Sequence, residues 1–285
     1  MTVLKTTAHA KLNLTLDVLG TRPDGYHNLK MVMQEIALGD VVTLTLDESE
    51  GWHVTSQSGE IPCDERNLAV KAARLFLKAA HISVRGLTVD IQKRTPVMAG
   101  MGGGSADGAA VLQLLQKHFG NPLTEDALYD AAEQTGSDVP FALFGGTALA
   151  EEKGQRLSRL PALPDCEIVL CKPPFPVSTP ALFRAVDREP IRKRPNTDAM
   201  LSALAAGSIA NVAAALGNVF SPIIFREHPE MEDIQNTLLR YGALGAAMTG
   251  SGPTMFGLFS EKASAEKAYN VLKERYTDTF LTKPV

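Results

Sequence analysis

The sequence predicts an α+β fold in two domains, on three observations. The first 57 residues alternate as strands, with Leu12, Leu14, Leu16 and Val18 and then Val42, Leu44 and Leu46 recurring at period two. A glycine run then opens directly into an apolar-periodic helix. From Met231 to the end the order reads helix, strand, strand, helix, strand, an α+β pattern. At 285 residues the chain is near the limit of a single core. The change of domain is placed at Pro161-Ala162-Leu163-Pro164, which precedes a new strand over 168–171, dividing the chain into 1–160 and 161–285.

Between these landmarks the spacing predicts a helix over 67–80 and a strand over 86–92. Two further helices are expected over 125–134 and 139–144, then Gly145-Gly146 and a strand over 147–151. No internal repeat is visible. A hydrophobic share of 45% with 21% charged residues fits a well-filled core. The net charge of −4 gives nucleic-acid binding no broadly basic surface, while leaving room for a local basic pocket. Cys63, Cys166 and Cys171 form neither a CxxC pair nor a metal cluster, which fits a reduced cytoplasm. No signal-peptide core and no run of about 18 apolar residues is present, so no membrane partner is expected.

The most informative stretch is Pro96-Val97-Met98-Ala99-Gly100-Met101-Gly102-Gly103-Gly104-Ser105-Ala106-Asp107-Gly108. Glycines let backbone N–H groups converge on an anion, and a helix N-terminus adds unpaired donors and partial positive charge. Ser105 is the expected cap of the following helix, Asp107 lies in its first turn, and Val111, Leu112, Leu114 and Leu115 form its apolar face. The lysine of a P-loop is missing and the dinucleotide fingerprint fits poorly, so this is a phosphate cradle of another kind. A flexible glycine linker is the competing reading.

If Leu12, Leu14, Leu16 and Val18 face a core, then Lys11, Asn13, Thr15 and Asp17 share the opposite face of the first strand. Lys11 and Asn13 would point together into a cleft; an exposed polar strand face is equally consistent with this segment. The turn Gly20-Thr21-Arg22-Pro23-Asp24-Gly25-Tyr26-His27 ends in an aromatic and an imidazole. Tyr26 could stack on a planar base and His27 bond its edge, or the turn could be a hairpin with an incidental polar tip. Asp138, in Gly136-Ser137-Asp138-Val139-Pro140-Phe141, reads locally as a helix cap, and alternatively as a base toward a hydroxyl whose developing charge Lys11 stabilises. A second glycine turn, Met248-Thr249-Gly250-Ser251-Gly252-Pro253-Thr254, lies between two short apolar strands, either closing over a site or simply turning the chain.

Together these segments resemble the three ordered motifs of the GHMP small-molecule kinases over essentially the whole chain. Ala10-Lys11-Leu12-Asn13-Leu14, Gly20-x-Arg22-x-Asp24-Gly25-Tyr26-His27-x-Leu29, Asn67-Leu68-Ala69-Val70-Lys71-Ala72-Ala73 and the Asp138 segment resemble one branch in particular, the diphosphocytidyl-methylerythritol kinases of isoprenoid precursor synthesis. Lys172-Pro173-Pro174 and Val177-Ser178-Thr179 strengthen this resemblance. It implies a ribosomal-protein-like N-terminal domain with a left-handed βαβ crossover, a ferredoxin-like C-terminal domain, and an active site between them. It also implies ATP-dependent phosphorylation of a 2-hydroxyl on a small molecule bearing a cytidine diphosphate group, with magnesium bridging phosphate oxygens.

The implied roles are specific. Asp138 accepts the hydroxyl proton and Lys11 orients the hydroxyl and stabilises charge. Asn13, Tyr26, His27 and Thr179 line the substrate side, Phe183 is the second aromatic of a base-stacking sandwich, and Met98 through Gly108 wrap the ATP phosphates. Ala106 stands where the family has a second serine, leaving Ser105 as the candidate magnesium ligand. Glu152 stands where glycine is common, and Asn218-Val219-Phe220-Ser221 lacks the usual acid. Kinases acting on mevalonate, homoserine or a sugar have no use for an aromatic sandwich, and a non-catalytic RNA binder is disfavoured by the acidic balance. Monomer and homodimer are both compatible with the sequence.

Overall fold

The computed structural model describes residues 1–188, 191 and 193–285. Packing divides the chain into two compact units. The first comprises Met1–Ala10, Leu38–Val97 and Gly102–Gly145, the second Lys11–Ala37, Met98–Met101 and Gly146–Val285. The units therefore interleave along the chain, whereas the sequence boundary near residue 160 is a single cut. The reason lies in two strands, β1 (Thr2–Thr21) and β2 (His27–Asp47), of 20 and 21 residues. At roughly 3.3 Å per residue each outruns one small core, so each contributes to both units.

The first unit adds β3 (Gly51–Ser56), α1 (Leu68–Ala79), β4 (Gly86–Gln92), α2 (Gly103–His118), α3 (Glu125–Thr135) and α4 (Val139–Phe144). β4 pairs antiparallel with residues 41–47 of β2 and parallel with β3, so α1 is the crossover of a βαβ unit. Asn67 caps α1 by accepting the Ala69 N–H at 2.9 Å. Ala69, Val70, Ala72, Ala73, Phe76 and Leu77 form its buried stripe. That stripe packs with Val111, Leu112 and Leu115 of α2 and with Val42, Leu44, Leu87, Val89 and Ile91 of the sheet in one core. Gly108 allows the helices to approach, since a Cβ there would lie 3.3 Å from the Leu68 carbonyl oxygen and 3.4 Å from Thr135 Cγ2.

In the second unit β5 (Thr147–Glu152) pairs with residues 29–34 of β2 and with β6 (Arg156–Arg159). There follow β7 (Glu167–Lys172), α5 (Thr179–Arg188), α6 (Thr197–Ala205), α7 (Ile209–Ala214), β8 (Gly217–Asn218), α8 (Ser221–Glu227), α9 (Glu230–Arg240), β9 (Gly245–Met248), β10 (Met255–Phe259), α10 (Lys262–Arg275) and β11 (Asp278–Thr282). β7, β9, β10 and β11 form an antiparallel sheet in the order β11-β7-β10-β9. With α9 and α10 this is the split βαβ arrangement of a ferredoxin-like domain, as expected. β7 is central, which explains why Ile168, Val169, Leu170 and Cys171 are all buried and the strand reads as a continuous apolar run. Among the described residues no helix is long and apolar enough to cross a membrane.

Candidate active site

Lys11 and Asn13 share one face of β1, as the period-two pattern requires, and the Lys11 Nζ donates to Asn13 Oδ1 at 2.6 Å. Both are buried, as are Thr15 and Asp17, so this is not an exposed polar strand face. The Asn13 amide N–H donates to Thr249 Oγ1 at 2.9 Å, and the Lys11 N–H donates to the Met101 carbonyl at 3.0 Å. β1 thus binds both the second glycine turn and the front of the first glycine loop. Thr249, whose importance the turn composition did not reveal, is the pin of this arrangement.

The front of the loop runs through Met98 in the left-handed region (φ 54°), buried Ala99, Gly100 (φ 72°) and buried Met101. The back runs into α2, and here the structure departs from expectation. The N-cap is Gly102, at φ 67° and without a side-chain cap, rather than Ser105. The helix begins earlier because glycine enters the left-handed conformation freely and Ala106 N–H closes the first turn on the Gly102 carbonyl at 2.9 Å. Gly103, Gly104 and Ser105 therefore form the first turn, with N–H groups no capping side chain occupies, whereas α1 and α3 are capped by Asn67 and Thr124. Ala106, Asp107 and Gly108 are buried.

The sequence places Asp107 in the first turn of α2, but with the helix starting at Gly103 it falls beyond that turn and is buried. It lies in the second turn and accepts from Lys93 Nζ at 3.0 Å. Lys93 also donates to Asp40, whose Oδ1 accepts the Arg94 and Thr95 N–H groups at 2.6 and 2.8 Å. This buried network ties the end of β4 to β2 and to the root of the loop. A Cβ on Gly103 would lie 3.3 Å from the Lys93 Nζ and 3.1 Å from Thr95 Cγ2, so the loop seats directly on it. Burial opposes the Lys93 charge, but Asp107 and Asp40 outweigh it and hold its pKa above the ordinary lysine value. Burial pushes Asp107 up to about 7, with Lys93 pulling the other way. Asp40, Lys93 and Asp107 are far apart in sequence, and only the β2–β4–α2 packing brings them together.

Asp138 occupies the N-cap position of α4, with Pro140 in the first turn, but its side chain makes no cap hydrogen bond. The carboxylate is therefore not committed to capping. Burial pushes the Cys166 and Cys171 thiols up to about 12, which removes both as thiolate nucleophiles.

The turn is shorter than the 20–27 expected: Gly20 and Thr21 still belong to β1 and His27 opens β2, leaving residues 22–26, closed by Gly25 N–H on the Arg22 carbonyl at 3.0 Å and by Tyr26 N–H on Asp24 Oδ1 at 3.1 Å. Tyr26 is 63% exposed, with the Lys153 ammonium 5.5 Å from its ring centre. His27 stacks on Phe183 of α5 at 4.7 Å and 26°, and Phe183 meets Phe220 edge-on at 5.1 Å. The aromatic that the sequence paired with Tyr26 thus carries the imidazole on its face. His27 Nε2 lies 2.8 Å from Asp187 Oδ1. Thr179, at the start of α5, donates through Oγ1 to Ser251 Oγ at 2.8 Å, linking α5 to the second glycine turn.

Family models for the N-terminal domain and the C-terminal region of GHMP kinases match residues 67–146 and 200–278. A 4-diphosphocytidyl-2-C-methyl-D-erythritol kinase of Caldicellulosiruptor saccharolyticus is 41% identical over 275 residues, covering 96% of this chain and 94% of the relative. One from Pelotomaculum thermopropionicum is 44% identical over 265 residues, covering 93% and 92%. A crystal structure of 4-(cytidine 5'-diphospho)-2C-methyl-D-erythritol kinase matches with a TM-score of 0.83 and 33% identity, covering 99% of both chains. A homoserine kinase from Cytophaga hutchinsonii shares the fold at a TM-score of 0.79 and 19% identity, covering 99% of this chain and 94% of that one.

Proposed function

The chain belongs to the GHMP kinases, and from that premise we propose that it phosphorylates the 2-hydroxyl of 4-diphosphocytidyl-2-C-methyl-D-erythritol, with ATP as phosphoryl donor. The observation that carries this reading is the match along nearly the whole chain to relatives of that name. Each unit, taken by itself, has features that support it. The uncapped first turn of α2, with Gly102 to Ser105 at its mouth, has the donors a polyphosphate needs. Met98 to Met101 continue the wrap, and buried Ala106, Asp107 and Gly108 support it from within. In the second unit, Tyr26, His27 and Phe183 supply flat surfaces for a base, with Asn13 and Thr179 as further substrate contacts.

In this reading Asp138 takes the proton from the acceptor hydroxyl and Lys11 holds that oxygen and the developing charge. Phosphoryl transfer asks mainly for positioning and electrostatic stabilisation, and these two groups supply both. Magnesium fits as a companion of ATP. Asp107, the loop carboxylate, is buried against Lys93, so Ser105 is the loop side chain that would hold the ion. When bound, the ion neutralises charge on the transferred phosphoryl group. The cytoplasm is the proposed setting, and the division into regions 1–160 and 161–285 follows the family's two-part organisation.

A coupled ADP-release assay comparing diphosphocytidyl-methylerythritol, mevalonate and homoserine tests the proposal. Turnover is expected with the first alone; preference for either of the others would overturn the substrate and keep the family.

A further inference from the structure

The contact between Asp187 and His27 bears on base selection, an inference that rests on this region being the cytidine side. α5 carries Phe183 and Asp187 four residues apart, hence on one face. Phe183 supports the face of the imidazole, at 4.7 Å between ring centres, while Asp187 Oδ1 sits 2.8 Å from Nε2. Thr21 Oγ1 donates to the same carboxylate oxygen at 3.3 Å. Leu182 and Val186 are buried and anchor the helix, so the pair holds the ring in plane and in rotation.

An ionised carboxylate accepts hydrogen bonds and donates none, so Nε2 carries the proton in this contact. A ring that carries this one proton presents Nδ1 as an acceptor, because the bond made by one nitrogen sets the state of the other. Among the described residues His27 makes no hydrogen bond through Nδ1. A cytosine edge offers an exocyclic amino group, a donor, where uracil offers a carbonyl oxygen, an acceptor. An acceptor nitrogen bonds the first and repels the second.

We propose that Asp187 is a positioning residue for base specificity: by holding the His27 proton on Nε2 it makes Nδ1 an acceptor that selects the amino group of cytosine over the oxygen of uracil. Asp187 acts through His27 and does not touch the base.

The test measures kcat and KM for the cytidyl substrate and its uridyl analogue in wild type, Asp187→Ala and Thr21→Val, with 15N spectra of the His27 ring in the free protein. Wild type should show the Nε2–H tautomer. Asp187→Ala should lower the cytidyl-to-uridyl ratio of kcat/KM by about tenfold, the worth of a typical hydrogen bond, through KM with kcat held. Thr21→Val, which removes the other contact of the same carboxylate, should leave the ratio unchanged. An unchanged ratio in Asp187→Ala, or an Nδ1–H tautomer in wild type, overturns the role of Asp187 alone. A wild type that turns over both substrates equally overturns the cytidine reading and this proposal with it.

Discussion

Gly100 and Gly250 meet backbone to backbone. A Cβ on Gly250 would lie 2.5 Å from the Gly100 carbonyl oxygen, and one on Gly100 would lie 2.5 Å from the Thr249 carbonyl oxygen. Both stand at positive φ, 72° and 57°. The first glycine loop and the second glycine turn are therefore one built object, and the turn is not merely an ordinary reversal between two strands. Neither a linker nor a free turn would need this fit. Gly250→Ala combines a steric clash with a left-handed Cβ and should cost about 2 kcal/mol or more. Urea unfolding should register the loss, together with a raised KM for ATP; an unperturbed midpoint would show that the two loops separate freely.

Lys93 and Asp107 give the fold a pH dependence of known sign. Asp107 is pushed up to about 7 in the folded protein, against an ordinary value of 3.8. Between these values the folded state holds a proton the unfolded chain has released. The stability contributed is full below about pH 4 and is lost as pH rises through about 7. Denaturation midpoints of wild type measured relative to Asp107→Asn should therefore fall across that window, and parallel profiles would refute the assignment. Lys93→Met should cost about 3–5 kcal/mol, because it strands two buried carboxylates, and adding Asp107→Asn should recover part of the loss.

Asp138→Ala should reduce kcat by a factor of about 100 to 10,000, the usual worth of a general base, with nucleotide affinity nearly unchanged. Lys11→Met should likewise act on kcat, with some loss of stability because Lys11 is buried against Asn13. Steady-state kinetics with a separate nucleotide titration distinguishes these effects. Full activity in Asp138→Ala would end the proposed mechanism.

Glu152, which the resemblance sets against a common glycine, lies in the left-handed region at φ 60°. A side chain there costs roughly 1 kcal/mol. Its carboxylate accepts from Gln155 Nε2 at 3.1 Å and lies 3.8 Å from Arg22, contacts on a half-exposed side chain that offset only part of the strain. Glu152→Ala keeps the strain and removes the contacts, whereas Glu152→Gly removes both. Chemical denaturation should find the alanine variant about 1 kcal/mol less stable than the glycine variant. Equal stabilities would mean that the backbone is not strained.

Much of the fold is legible in the sequence because its periodicity is local. The buried stripe of α1, the strand at Gly86–Gln92 and the closing helix, strand, strand, helix and strand each follow from neighbouring residues. The start of α2 is not legible in the same way: serine is a strong capping residue and points to Ser105, while the actual cap, Gly102, works through backbone conformation. The double burial of β1 is also hidden, since Lys11 to Val18 alternates polar and apolar as a half-exposed strand would, although both of its faces are buried.

The sequence by itself determined the family, the two glycine motifs, the Lys11 and Asn13 face and the Tyr26-His27 turn, because these depend on spacing within a few residues. Tertiary structure alone decided what each motif leans on. Asp40 and Lys93 are 53 positions apart, His27 and Asp187 160, and Asn13 and Thr249 236. No local pattern encodes such pairs. They exist because long strands and packed helices carry distant segments to within hydrogen-bond reach, where burial makes an unpaired polar group costly and so makes each partnership specific.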